Sequence, residues 1–155
     1  MATIKNIATS EDYKKLAQAA RDENENNDCT VKAVAAATGA PYKEVHAILK
    51  KLGRKTGRGT SLYNMRSALL ELGFEYGKVT PLEMIATYKK STKVTNVTTH
   101  HPDRFPRSAF ATGTWILFTT GYTHTLCVKD GANHDHTRGR ALRVVEIWQI
   151  LPVKR

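Results

Sequence analysis

Residues 123–135, THTLCVKDGANHD, contain the strongest indication of the fold. Two extended segments flank the dipeptide Asp130-Gly131, which is typical of a two-residue β-hairpin turn because both of its residues tolerate the positive φ that the turn requires. In that register His124 faces Thr137 and Leu126 faces Asp135. The stretch therefore predicts an antiparallel hairpin whose two strands meet at Asp130-Gly131.

Further extended segments lie on both sides of this hairpin. Residues 93–99 (KVTNVTT), 113–120 (GTWILFTT) and 141–151 (ALRVVEIWQIL) are rich in β-branched and aromatic residues, and they are bounded by turn-forming residues. Together with the hairpin they predict an antiparallel sheet in the second half of the chain.

The first half of the chain has the apolar spacing of helices. Helices are predicted over about 9–21, 28–38, 41–52, 61–72 and 80–88, with Asn27 or Asp28 as the cap of the second one and glycines 39, 53 and 73 as stop signals. The third carries Val45, Ile48, Leu49 and Leu52 on its apolar side and is expected to carry His46 on its polar side. The predicted fold class is α+β, in a single domain over 1–155 with a helical half at about 9–90 and a sheet half at about 93–151.

Composition restricts the class of protein. The chain has 155 residues and a net charge of +10, which is an electrostatic footprint for polyanions. It has no apolar run of the ~20 residues that a membrane span needs, and no signal-peptide core. We therefore expect a cytoplasmic protein with no membrane partner, and we expect both cysteines to be free thiols.

Cys29 is the first chemical candidate. It falls in the first turn of the second predicted helix, where the helix dipole and the free backbone N–H groups stabilise a thiolate and can bind an oxyanion. A free cysteine is also among the most buried residue types, so simple helix packing is the alternative interpretation.

His124 and Asp135 are the partners that such a thiolate needs. In the predicted hairpin Asp135 is the same-face diagonal neighbour of His124, within reach to orient its imidazole. Strand alternation places Cys127 on the opposite face from His124, which predicts that Cys127 is a core residue.

The segments NNDCTVKAVAAATGAPYKEVHAIL, GTWIL, THTLCVKDGANHD and RVVEIW resemble, in this order, small and often phage-encoded proteins of the papain-like cysteine peptidase superfamily. The resemblance implies a papain-like fold and a thiol hydrolase of amide, isopeptide or thioester bonds. Cys29 would be the nucleophile, His124 the base and Asp135 the orienting acid. It also implies a protein or peptide substrate, no cofactor or metal, and the host cytoplasm if the protein is phage-encoded.

Two positions depart from that superfamily. Gly commonly follows the nucleophile in the larger peptidases, but Thr30 follows Cys29 in this chain. A Gln usually precedes the nucleophile as a donor to the oxyanion, but position 23 is Glu in this chain. Asn24, Asn26 and Asn27 are the candidates for the missing amide donor, and the sequence does not distinguish among them.

Two other classes of function remain open. Residues 31–52 have the form of a helix-turn-helix, which with the positive charge suggests a DNA- or RNA-binding protein, although bidentate base-reading side chains are missing. A catalytically inactive papain-like binding protein is the other. The loop after the third helix offers Arg54, Lys55 and Arg58 as contacts to substrate or polyanion, but it lacks the order of elements of a phosphate-binding loop. The histidines around Asp135 match no zinc spacing.

Overall fold

Four helices and five strands make up the described part of the computed structural model, which covers residues 11–22, 28–55, 60–79, 112–119, 122, 124–130, 132–134 and 144–153. The helices are α1 (Glu11–Asp22), α2 (Cys29–Thr38), α3 (Tyr42–Lys51) and α4 (Leu62–Glu71), and the strands are β1 (Phe74–Val79), β2 (Thr114–Thr119), β3 (Thr125–Lys129), β4 (Ala132–His134) and β5 (Val144–Pro152).

The five strands form one antiparallel sheet in the order β1-β5-β2-β3-β4. The predicted α+β class with an antiparallel sheet is therefore confirmed. Strand β1 was not predicted, and it lies inside the range expected to be helical. Its partly buried Phe74 and Tyr76 alternate with the exposed Glu75, which is the two-residue period of a strand with one buried face.

The predicted hairpin register is confirmed over the described residues. Cys127 pairs with His134 and Lys129 pairs with Ala132 across β3 and β4, as the two-residue turn requires. Asp130 adopts a φ of 48°, the left-handed conformation of such turns. Its carboxylate also accepts a hydrogen bond from the Gly113 N–H at 2.9 Å, which ties the turn to the start of β2. Asp135 lies outside the described residues.

Helix α2 is the central helix of the domain. Seven residues that follow Cys29 in α2 are buried, so the helix is covered on nearly all sides. It packs against β3 and β2 of the sheet and against the other three helices. Gly39 ends it at a φ of 76° with its N–H donating to the Ala35 carbonyl, which is the expected left-handed cap.

Helix α3 corrects one prediction. Val45 and Leu49 are fully buried, as the apolar spacing predicted, but His46 is buried as well. Its ring stacks on that of Tyr42, with the centroids 5.8 Å apart. The prediction was wrong because it treated His46 only as a polar residue. A histidine ring can also bury its flat face against another ring one helical turn away.

Both faces of the sheet are buried. The face toward the helices carries an aromatic cluster around Trp148, whose ring lies 4.2 Å from that of Tyr76 and 4.7 Å from that of Phe118. Cys127 lies on this face within the same core. By alternation, the second face carries the buried side chains Leu117, Leu126, Val128 and Ile147.

The helices are too short for a membrane span. They contain 10 to 12 residues each, and within the ranges given above none is long and apolar enough to cross a bilayer.

Candidate active site at the start of helix α2

Cys29 is the first residue of α2 and is half-buried. The two cysteines differ sharply in this respect, since Cys127 is fully buried. A thiol that served only to fill the core would be expected to resemble Cys127. Cys29 instead is partly exposed at the first position of a buried helix, where the dipole favours a negative charge.

Asp28 holds the cap position before Cys29, but its carboxylate does not cap the helix. The side chain is 4% exposed and accepts a hydrogen bond from the Tyr42 hydroxyl at 2.7 Å on Oδ2. The Lys32 ammonium lies 3.4 Å from Oδ1. Because the Asp28 carboxylate is engaged with these two groups, it accepts no hydrogen bond from the N–H groups of the first turn. The N–H groups in the first turn of a helix have no acceptor within the helix and can bind an anion.

A second contact holds the same turn from the other side. The Thr30 hydroxyl donates to the hydroxyl of Thr60 at 2.8 Å, just before α4. The start of α2 is thus tied to α3 through Asp28 and to the α4 side through Thr30. Sequence reasoning missed Tyr42 and Thr60 in this role, because each contact joins residues distant along the chain.

His124 is half-buried and immediately precedes β3, the strand against which α2 packs. Cys29 thus begins the helix that packs against β3, and His124 precedes that strand. Within β3, alternation puts Thr125 and Cys127 on one face of the sheet and Leu126 on the other. Cys127 faces the helices. Since His124 precedes the first paired residue of the strand, alternation does not fix the direction of its side chain.

A buried carboxylate that binds Tyr122 was not predicted. Glu146 on β5 accepts hydrogen bonds from the Tyr122 hydroxyl at 2.8 Å and from the Trp148 indole N–H, and its carboxylate lies 3.4 Å from the Lys78 ammonium. The hydrogen bond to Glu146 raises the pKa of Tyr122, with burial and the negative charge of Glu146 adding to the effect. Tyr122 lies two residues before His124.

Cys127 is a core residue, as predicted. Burial raises the pKa of its thiol to about 12, against a smaller lowering by the positive charge of Lys129. At neutral pH this thiol is protonated and buried.

Several predicted site residues lie outside the described part of the chain. They are Asp135, the amide candidates Asn24, Asn26 and Asn27, and Arg58. Of the other two loop cations, Lys55 is exposed, but Arg54 is only 5% exposed. The burial of Arg54 gives no support to its predicted contact with substrate or polyanion, and that contact stays a prediction.

The other predicted types of site have less structural support. Across the described residues there is no group of three or more His, Cys, Asp or Glu side chains that could hold a metal ion. In the helix-turn-helix interpretation α3 would read the bases. Its exposed residues are Lys43, Glu44, Ala47, Lys50 and Lys51, which include none of the Arg, Asn or Gln side chains that bind base edges in pairs of hydrogen bonds.

Comparison of the chain with protein-family models, with curated proteins and with solved structures gives no match. Inference about its function therefore rests on its own residues.

Proposed function

We propose that the protein is a thiol hydrolase of papain-like fold, acting on amide, isopeptide or thioester bonds. The observation that carries the proposal is the position of Cys29: a half-buried thiol that opens a helix whose following residues are buried, with the neighbouring carboxylate turned away from the helix end. A position in the first turn of a helix favours the thiolate form.

The proposed reaction is acyl transfer to water. The Cys29 thiolate attacks the substrate carbonyl, and the N–H groups of the first turn of α2, with an amide from among Asn24, Asn26 and Asn27, bind the oxyanion. His124 donates a proton to the leaving group and then deprotonates the water that hydrolyses the thioester. Asp135 orients the imidazole.

The arrangement of elements supports the papain-like part of the proposal. A central helix packs on an antiparallel sheet, and the base candidate precedes the strand that this helix contacts. The register of β3 and β4 pairs Cys127 with His134, the last described residue before the proposed Asp135. By analogy with the superfamily we propose a protein or peptide substrate and a cytoplasmic location.

The experiment is alkylation by iodoacetamide, with the rate at each cysteine followed by mass spectrometry from pH 5 to 10. An ordinary thiol of pKa ~8.5 is about 3% thiolate at pH 7. A thiol of pKa about 12 is about 0.001% thiolate there, so Cys127 is the internal control and should react at least a thousandfold more slowly.

Cys29 is expected to keep reacting rapidly below pH 7, where an ordinary thiol slows about tenfold per pH unit. His124→Ala should return it to that ordinary slope while the fold, followed by circular dichroism, is retained. A Cys29 that already follows the ordinary slope in the wild type, or that is indifferent to His124→Ala, contradicts the proposal.

A further inference from the structure

Tyr122 has an unusual backbone conformation just before His124. Its φ is 55°, in the left-handed region that aromatic residues rarely adopt. Such a conformation persists only where other contacts enforce it, and it is often found at functional sites. The side chain supplies those contacts, although half of its surface is exposed.

The contacts of Tyr122 reach across the sheet. Its hydroxyl donates to Glu146 on β5, and its ring lies 5.9 Å from the ring of Phe118 on β2. Glu146 is itself buried at 5% exposure and is fixed by the Trp148 indole and by the ammonium of Lys78. Tyr122 is thereby held to β5 in the middle of the sheet, since β5 pairs with strands on both of its sides.

We infer that Tyr122 is a positioning residue, which through its hydrogen bond to Glu146 sets the location of His124 relative to Cys29. This inference rests on the proposed function for its catalytic meaning, but the placement of His124 can be measured without any activity. The direction of the His124 side chain is not imposed by strand pairing. The hydrogen bond to Glu146 holds Tyr122, two residues before His124.

The test is Tyr122→Phe, which keeps the ring against Phe118 and removes only the hydroxyl. The imidazole signals of His124 are followed by NMR across a pH titration, with assignment by His124→Ala, and the Cys29 alkylation profile is measured on the same protein. We expect the His124 chemical shifts and titration midpoint to move, and the rate of Cys29 alkylation at pH 6 to fall at least fivefold. Tyr63→Phe is the matched control, because Tyr63 is 72% exposed on α4 and should change neither readout.

Glu146→Gln provides a second variant, since an amide oxygen still accepts from Tyr122 while the charge is lost. If both residues act through one hydrogen bond, the double variant should show no larger effect on the His124 titration than Tyr122→Phe alone. The inference is overturned if Tyr122→Phe leaves the His124 titration and the Cys29 profile as in the wild type. A wild-type Cys29 without low-pH reactivity contradicts the proposed function instead, and the His124 titration then still decides the role of Tyr122.

Discussion

The hydrogen bond from Tyr42 to Asp28 joins the beginnings of α2 and α3, and its removal has a predictable cost. Tyr42→Phe keeps the buried ring and its stacking on His46 but leaves the Asp28 carboxylate, which is 4% exposed, without a donor at 2.7 Å. A hydrogen bond to a buried charged group contributes about 1.5–3 kcal/mol. For a chain of this size, each kcal/mol corresponds to about 2–4 °C in Tm, so we expect a fall of about 3–12 °C.

The assay is urea unfolding followed by far-ultraviolet circular dichroism, with thermal unfolding in parallel. Tyr63→Phe serves again as the control, since removing an exposed hydroxyl should change the free energy of unfolding by less than ~0.5 kcal/mol. If Tyr42→Phe unfolds at the wild-type urea concentration with an unchanged slope, the Asp28 carboxylate does not depend on Tyr42, and the account of how α2 is anchored is refuted.

Two further predictions concern stability. Folding raises the Cys127 pKa from its ordinary 9.0 to about 12. The protonated thiol therefore contributes stability that is complete below pH 9 and is lost as pH rises toward 12, with a full loss of about 4 kcal/mol. Urea unfolding of Cys127→Ala should show a correspondingly smaller decline in stability over that pH range. Gly39→Ala should lower the free energy of unfolding in urea by about 1–2 kcal/mol, since the φ of Gly39 is 76° and nothing lies near the added methyl group. Gly77→Ala, at an ordinary φ and with equal room, should be neutral or slightly stabilising. Equal effects of the two substitutions would contradict the role given to the left-handed cap.

The local features of the fold were predictable from the sequence because each has a short-range cause. Gly39 can end α2 since glycine adopts positive φ without strain, and Ser61 caps α4 by accepting the Asn64 N–H. The register of β3 and β4 followed from Asp130-Gly131, because a two-residue turn leaves a single pairing for the strands it joins.

The long-range features could not be read in the same way. The position of β5 between β1 and β2 depends on packing among segments far apart in the chain, and β1 contributes too few apolar residues to stand out beside four helices. At the candidate site, Cys29 and His124 could be recognised from their residue types and from the sequence immediately around them. Tyr42, Tyr122 and Glu146 could not be recognised in this way, since their importance comes from partners 14 to 24 residues away.

The central place of β5 also bears on the order in which the domain folds. The β3–β4 hairpin closes a turn of two residues and can form early, in about microseconds when taken by itself. The pairing of β1 with β5 joins Phe74 to Pro152, and the neighbouring pairing joins β5 to β2, so neither can form before residues 144–152 have been synthesised. Until then β1 and β2 each lack a neighbour that the completed sheet provides, and their unpaired backbone groups form an edge open to other chains. Insertion of β5 is therefore the step that closes the sheet, and a nascent chain arrested before residue 144 is the form most prone to aggregate.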